Sequence, residues 1–170
     1  INVLRNDGES ALAIAVAVSA EFIRVNVLSG ARVTDQGVIE GISYQLLRMR
    51  SRLNASHIGI MADVDVKPSA GLSPRNIDDE VEDTLKRGLA DAVIVSGAGT
   101  GKATDPDKVE RVSLAAGPKP VFLGSGVNSS NVAMYSKFAK GFIVGTAFKK
   151  DGLVNQPIDV SRVKSFMKSI

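Results

Sequence analysis

The chain of 170 residues contains no cysteine and no tryptophan, only one histidine, and few aromatic residues of any kind (5%). The absence of cysteine excludes disulfide bonds, thiolate nucleophiles and cysteine metal ligands. A single histidine excludes a zinc site built from several histidines. No apolar run approaches the ~18 residues that a membrane-spanning helix needs, and no signal peptide is visible. We therefore predict a soluble protein with no integral membrane segment.

Long runs of like charge are also absent, although the chain has a net charge of +3. Positive and negative residues are interspersed along the sequence, so no basic patch typical of nucleic-acid binding stands out. The small positive excess favours small anionic ligands over nucleic acid.

Short apolar runs alternate with helix-like segments along the whole chain. The strand-like runs are Ile1 to Leu4, Phe22 to Val27, Ile58 to Val66, Ala92 to Val95, Pro120 to Leu123 and Gly141 to Val144. The helix-like segments are Glu9 to Ser19, Gln36 to Leu53, Ile77 to Gly88, Lys108 to Ala116, Asn131 to Phe138 and Val160 to Ile170. Such an alternation predicts an α/β fold with a parallel sheet.

Six strand–helix units fit two architectures. The chain can supply the six C-terminal units of a (β/α)8 TIM barrel, a fold that typically takes ~250 residues. It can also form an open doubly wound six-stranded parallel sheet. Under the barrel reading, residues 1–170 form one domain that lacks the first two βα units. The edge at Ile1 to Leu4 would then be paired by a missing N-terminal segment or by another chain, such as a second copy in a homo-oligomer.

Two glycine motifs near the C-terminus favour the barrel. Gly124, Ser125, Gly126 and Val127 follow one apolar run, and Gly145 with Thr146 follows the next. In (β/α)8 barrels, the loops after the seventh and eighth strands often bind a phosphate through bare backbone N–H groups. We therefore predict that both motifs bind phosphate.

Strand alternation predicts which polar side chains meet at the mouth of such a barrel. In Phe22 to Val27, Arg24 and Asn26 face away from the apolar set. In Ile58 to Lys67, the residues on the corresponding face are Met61, Asp63, Asp65 and Lys67, whereas Val66 falls with the apolar set. We expect the polar side chains to converge at the C-terminal ends of the strands, where barrel enzymes place their chemistry.

Specific roles follow for these residues. Asp63 or Asp65 would act as general acid or base, and Lys67 would bind an anion or act as a second acid. Arg24 and Asn26 would orient the substrate. An alternative is a purely structural ion-pair network. Asp63 and Asp65 could also hold a divalent cation through oxygen ligands, but two aspartates do not define a metal site, and the sequence requires no metal or cofactor.

Three loops add candidate substrate-binding residues. Asn6 follows the first strand-like run, Asp35 precedes a predicted helix, and Ser96 and Thr100 lie in a glycine-rich loop. For Asp35, the alternative role is the N-cap of that helix. The glycine-rich loop is not a P-loop, because Ala103 stands where Ser or Thr should follow the lysine.

Several of these segments resemble the BtpA/SgcQ family in sequence and in order. The matching segments are Ile1 to Asp7, Phe22 to Val27, Thr34 to Gly37, Ala62 to Val64, Ile94 to Gly97, Gly124 to Val127 and Ile143 to Thr146. The resemblance implies a ribulose-phosphate-binding-type barrel whose relatives are longer at the N-terminus. It implies no established catalytic residues.

The resemblance leaves two classes of function open. One branch of the family is linked to photosystem I biogenesis, and another lies with sugar-utilisation genes. We therefore expect a barrel enzyme that binds a phosphorylated sugar or nucleotide-like metabolite, with isomerase, epimerase or lyase chemistry. The alternative is a non-catalytic assembly or stability factor that uses the barrel as a scaffold. The expected compartment is the cytoplasm, or else an organelle matrix or the periphery of the thylakoid membrane.

Overall fold

A parallel sheet of five strands forms the centre of the molecule in a computed structural model, which describes residues 1–66, 69–73, 75–97, 99 and 102–170. The strands are β1 (Phe22–Val25), β4 (Gly59–Val64), β6 (Ala92–Val95), β7 (Val121–Leu123) and β8 (Gly141–Phe142), and they lie side by side in this order. Parallel neighbours that follow chain order are typical of a barrel wall, whereas a doubly wound sheet reverses its order at a switch point. The fold is therefore the α/β barrel type and not the open doubly wound sheet.

Six helices accompany the strands in the described residues. They are α1 (Gly8–Ala17), α2 (Ser43–Arg52), α3 (Ile77–Glu82), α4 (Pro106–Ala116), α5 (Val132–Tyr135) and α6 (Val160–Met167). A π-helical turn at Asp83–Arg87 continues α3, and 3₁₀ turns follow at Thr146–Phe148 and Lys150–Gly152. Local sequence explains the helix starts: the Asp7 side chain accepts a hydrogen bond from the Ser10 amide (2.9 Å), and Asp105 caps α4 immediately before Pro106.

The two faces of the parallel sheet carry different side chains. Branched aliphatic residues on the outer face, such as Ile60 and Val95, are fully buried against the helices. The inner face carries a smaller apolar cluster in which Phe122 packs against Met61 and Ile94. The alternation predicted for β1 and β4 is therefore confirmed up to Val64.

A second, antiparallel sheet corrects the prediction for residues 36–42. The predicted helix from Gln36 is a hairpin at this point: β2 (Ala31–Thr34) pairs with β3 (Gly37–Glu40), and β5 (Ala70–Gly71) pairs with the other side of β2. Gly37 adopts φ +95°, a conformation that favours glycine, so the chain reverses here and α2 starts only at Ser43. Asp35 thus lies in a hairpin turn and not at a helix N-cap.

The segment Ile1 to Leu4 was predicted as a strand but does not form a regular one. Its backbone still lies along β1, because the Arg24 amide donates to the Ile1 carbonyl (2.7 Å) and the Ile1 ammonium donates to the Phe22 carbonyl (3.0 Å). The N-terminal residues therefore cover part of this sheet edge.

Candidate functional site

Three polar side chains meet on the inner face of the sheet, and we call Arg24, Asn26 and Asp63 the inner cluster. Arg24 extends from β1, and its guanidinium donates two hydrogen bonds to the Asp63 carboxylate on β4, from Nη2 to Oδ1 (2.7 Å) and from Nε to Oδ2 (3.0 Å). Asn26 Nδ2 donates to the same Oδ2 (2.7 Å). The paired register of β1 and β4 explains why these residues lie together.

The members of the inner cluster differ in their access to solvent. The Asp63 side chain is 1% exposed, whereas that of Arg24 is 21% exposed. Burial raises the pKa of the Asp63 carboxyl above its ordinary value, while the hydrogen bond and charge of Arg24 and the hydrogen bond from Asn26 act in the opposite direction. Asp63 therefore lies at the buried bottom of the cluster, and Arg24 is more exposed.

A cavity of about 180 Å³ lies above the inner cluster, and we call it the inner cavity. Besides Arg24 and Asn26, its polar lining includes Asn2, Arg5, Thr34 and Ser96. Asn26 Oδ1 is buried and accepts no hydrogen bond from any described residue. At the hairpin tip, Asp35 forms an ion pair with Arg5 (3.2 Å). The inner cavity is thus a small polar space with one unsatisfied acceptor.

The first glycine motif borders this cavity. The Gly124 amide donates to the Val95 carbonyl (2.8 Å), so it continues the sheet and is not available to a ligand. A Cβ atom at this position would clash with Ser96 Oγ and would lie 3.2 Å from Arg24 Nη2. Only glycine therefore lets β7 pass this close to the inner cluster.

The remainder of that motif leaves backbone donors unused. The Ser125 side chain accepts a hydrogen bond from the Gly97 amide (3.1 Å), and Gly126, at φ +73°, packs against the backbone of Lys102. Within the described part of the chain, the amides of Ser125, Gly126 and Val127 donate to no acceptor. This loop therefore offers N–H groups for an anion.

The second glycine motif is more open. A Cβ atom on Gly145 would meet nothing within 4 Å, and the amides of Gly145 and Thr146 have no acceptor among the residues that the structure describes. Because β7 and β8 are adjacent in the sheet, their two glycine loops are neighbours.

The prediction that Asp65 joins the inner cluster is wrong. Asp65 follows the last residue of β4 with φ +49°, a left-handed conformation that ends the strand alternation. Its neighbour Val66, predicted on the helix side, consequently lines the inner cavity. Asp65 instead accepts from Arg32 Nη2 (2.7 Å) and from Lys108 Nζ (2.7 Å).

Asp65 belongs to a second group, and we call Arg32, Asp65, Glu80 and Lys108 the outer cluster. Glu80 Oε1 accepts from the Asp65 amide (2.7 Å) and pairs with Arg32 (3.2 Å). The four side chains are between 10% and 26% exposed. The sequence analysis missed the other three residues, because they come from β2, α3 and α4 and no local motif connects them.

The outer cluster borders a larger cavity of about 880 Å³, the outer cavity. Two further ion pairs contribute to its rim, Arg75 with Asp83 (2.6 Å) and Arg111 with Asp78 (2.9 Å). The cations that line this cavity therefore already have carboxylate partners.

The remaining predicted site residues are Asn6, Lys67 and Thr100. Asn6 is 9% exposed and makes three backbone hydrogen bonds, to the Val27 carbonyl, to the Glu40 carbonyl and from the Val27 amide. It therefore ties the N-terminal segment to β1 and β3. Lys67 and Thr100 lie outside the described residues.

The two aspartates do not face a common cation position, since each bonds to a different arginine. Among the described residues, no group of three or more histidine, aspartate or glutamate side chains is arranged as a metal site. None of the helices in the described ranges has the length and hydropathy that a membrane-spanning helix needs.

Comparison with known families places the chain clearly. The model of the BtpA family matches residues 1–170. The photosystem I biogenesis protein BtpA of Synechocystis sp. is 46% identical over 170 residues, which cover 100% of this chain and 59% of that protein. An uncharacterized protein of Thermococcus kodakarensis is 47% identical over 168 residues, or 99% of this chain and 63% of that protein. The chain thus spans somewhat less than two thirds of the length of these curated relatives.

Solved structures show a similar fold. Orotidine 5'-phosphate decarboxylase from Pyrococcus horikoshii OT3 superposes with a TM-score of 0.61 at 16% sequence identity. The match covers 99% of this chain and 72% of that one. At this identity the likeness shows the barrel-type fold alone.

Proposed function

The chain belongs to the BtpA family, and from this premise we propose that it binds a phosphorylated small metabolite at the C-terminal ends of its strands. The phosphate would lie on the amides of Ser125 to Val127 and of Gly145 and Thr146. The rest of the ligand would extend into the inner cavity toward Arg24 and Asn26.

The observation that carries this proposal is the closeness of the first glycine loop to the inner cluster. A Cβ atom on Gly124 would lie only 3.2 Å from Arg24 Nη2, so a ligand held on the following amides would have the inner cavity beside it. The loops after the last two strands of barrels recurrently bind phosphate. One fold neighbour, orotidine 5'-phosphate decarboxylase, carries a phosphate ester in its name, which agrees with this use of the fold.

For the reaction we propose proton transfer of the isomerase, epimerase or lyase type. Burial raises the pKa of Asp63 above its ordinary value, which is the direction that general acid–base chemistry favours for a carboxyl group. Its side chain is 1% exposed, however, and both of its oxygens accept hydrogen bonds. We therefore assign Asp63 as a positioning residue for Arg24, and a direct proton transfer would require Arg24 to move aside.

Titration with inorganic phosphate, followed by amide NMR, tests the binding site residue by residue. We expect the resonances of Ser125, Gly126, Val127, Gly145 and Thr146 to shift together with one dissociation constant. The amide of Gly117, beyond α4, is the internal control and should not move. Shifts confined to the outer cavity, or no shifts, would contradict the proposal.

A second candidate function is a non-catalytic assembly factor, and the name of the Synechocystis relative, a photosystem I biogenesis protein, favours it. A scaffold needs its surface but not its inner cluster. Asp63→Asn, introduced into the relative at the matching position in Synechocystis, should then leave photosystem I content unchanged. A ligand-dependent role predicts that this content falls.

A further inference from the structure

The amide orientation of Asn26 gives the inner cavity a defined polarity. Asp63 Oδ2 accepts a hydrogen bond from Asn26 (2.7 Å), and both Asp63 oxygens also accept from the Arg24 guanidinium (2.7 and 3.0 Å), so neither oxygen is placed to donate to Asn26. The atom that faces Asp63 must therefore be Nδ2, so Oδ1 is the atom left over. Asn26 is 9% exposed and lines the inner cavity, and its Oδ1 has no partner among the described residues.

A buried acceptor without a donor is unfavourable, and native structures contain few of them. The two polar atoms of the Asn26 side chain differ, because Nδ2 already donates to Asp63 whereas Oδ1 has no described donor. A bound group with an N–H or O–H would satisfy Oδ1, whereas a bare anionic group there would meet the carbonyl oxygen and lie close to Asp63. The position beside Asn26 Oδ1 therefore disfavours the phosphate itself.

Arg24 supplies the complementary donors. Its Nε and Nη2 bond to Asp63, while Nη1 donates to no acceptor in the described part of the chain. Arg24 Nε and Asn26 Nδ2 share the same Asp63 oxygen, so the two side chains lie side by side. A ligand can thus offer a hydroxyl to Asn26 Oδ1 and a neighbouring oxygen to Arg24.

We infer that the inner cavity selects the hydroxyl-bearing end of a phosphate ester, with Asn26 Oδ1 as the acceptor that distinguishes it from a deoxygenated analogue. The substrate class is a sugar phosphate or polyol phosphate with two adjacent oxygen atoms. The cavity volume of about 180 Å³ fits a short segment of this kind. This inference rests on the proposed function, since it presumes that the phosphate lies on the glycine loops.

A matched pair of small ligands tests the inference on the unaltered chain. Glycerol 3-phosphate and n-propyl phosphate share a three-carbon chain and a phosphate, and they differ by two hydroxyl groups. Calorimetric titration should show that glycerol 3-phosphate binds about tenfold more tightly, as expected for one well-placed hydrogen bond to a buried acceptor.

Two variants assign that difference to one residue. Asn26→Ala should bring the two dissociation constants within about twofold of each other. Asn155→Ala removes the same group from an exposed loop and should keep the tenfold preference. A thermal melt of each variant without ligand verifies that it is folded.

The outcomes separate the two proposals. Equal affinity of the two esters for the unaltered chain would overturn the inference and leave the proposed phosphate site standing. A preference that survives in Asn26→Ala would also overturn it. Binding of neither ester would overturn the proposed function and the inference together.

Discussion

The inner and outer clusters each contain one of two aspartates from the same strand end, yet they use them differently. In the inner cluster, Asp63 is 1% exposed and holds one arginine beside a cavity of about 180 Å³. In the outer cluster, Asp65 is 26% exposed and bonds to two cations beside a cavity of about 880 Å³.

The difference gives a criterion other than cavity size for choosing between candidate ligand sites. The charged side chains of the outer cluster bond to one another. They connect β2, the end of β4, α3 and α4, as expected of a structural ion-pair network. The inner cluster leaves Asn26 Oδ1 without a described partner, and a ligand would complete it. The unsatisfied acceptor of the inner cluster, more than the volume of either cavity, distinguishes the inner cluster from the outer cluster.

The largest expected effect comes from removing the carboxylate of the inner cluster. Asp63→Ala leaves the Arg24 guanidinium partly buried without its partner, which should lower the free energy of unfolding by about 3 kcal/mol. Asp63→Asn is the matched variant, because it keeps an acceptor for Arg24 and should lose less. Urea denaturation measures both. Equal, small losses would mean that the inner cluster contributes no more than a surface pair.

Gly124 is the next test, since it brings β7 against the inner cluster. Gly124→Ala puts a methyl group against Ser96 Oγ and Arg24, and overpacking of this kind should cost about 2 kcal/mol. Gly145→Ala is the control, because its methyl group would meet nothing within 4 Å. A stability change of about 0.5 kcal/mol or less is expected there. Thermal unfolding measures the stability loss of each variant. Equal losses would contradict the tight approach at Gly124.

The sequence predicted the inner cluster well because regular strands obey strict alternation. Arg24 and Asp63 lie within or beside strands whose side chains alternate, so their convergence followed from parity alone. Asp65 lies just past the last strand residue, and its positive φ breaks that parity. At strand ends, the local backbone conformation decides which face a side chain lies on, and the two-residue alternation no longer predicts it.

The outer cluster could not be predicted, because its other members come from elements distant in sequence. Arg32 lies on the first strand of a hairpin whose second strand, β3, falls within the segment Gln36 to Leu53 that the sequence predicts as a helix. A signal was present: Val33, Val38 and Ile39 are β-branched residues on either side of a turn that ends in Gly37. Ion pairs between such elements depend on how the helices pack, which composition does not specify.

A smaller effect is expected for the outer cluster. Lys108→Met removes one of the two cations bonded to Asp65 and should lower the free energy of unfolding by about 1 kcal/mol, since both side chains keep some contact with solvent. Lys86→Met breaks an exposed pair with Glu82 and should cost about 0.3 kcal/mol. Urea denaturation at low and high salt should show that Lys86 is the more screened of the two. A loss at Lys108 as large as that of Asp63→Ala would erase the contrast between the clusters.

The smallest effect is a difference in the sign of pH dependence. Burial raises the pKa of Asp63, so its contribution to stability is complete below about pH 4 and is lost as the pH rises through the folded-state value. The hydrogen bond from Arg75, at the rim of the outer cavity, lowers the pKa of Asp83, so that contribution is present above about pH 4 and is lost as the pH falls. Unfolding curves of Asp63→Asn and Asp83→Asn between pH 3 and pH 7, each compared with the unaltered chain, should therefore diverge in opposite directions. The advantage of the unaltered chain over Asp63→Asn should grow toward acid, and its advantage over Asp83→Asn should shrink. Parallel behaviour of the two variants would mean that Asp63 is ionised as readily as a rim aspartate, and that burial does not set the inner cluster apart.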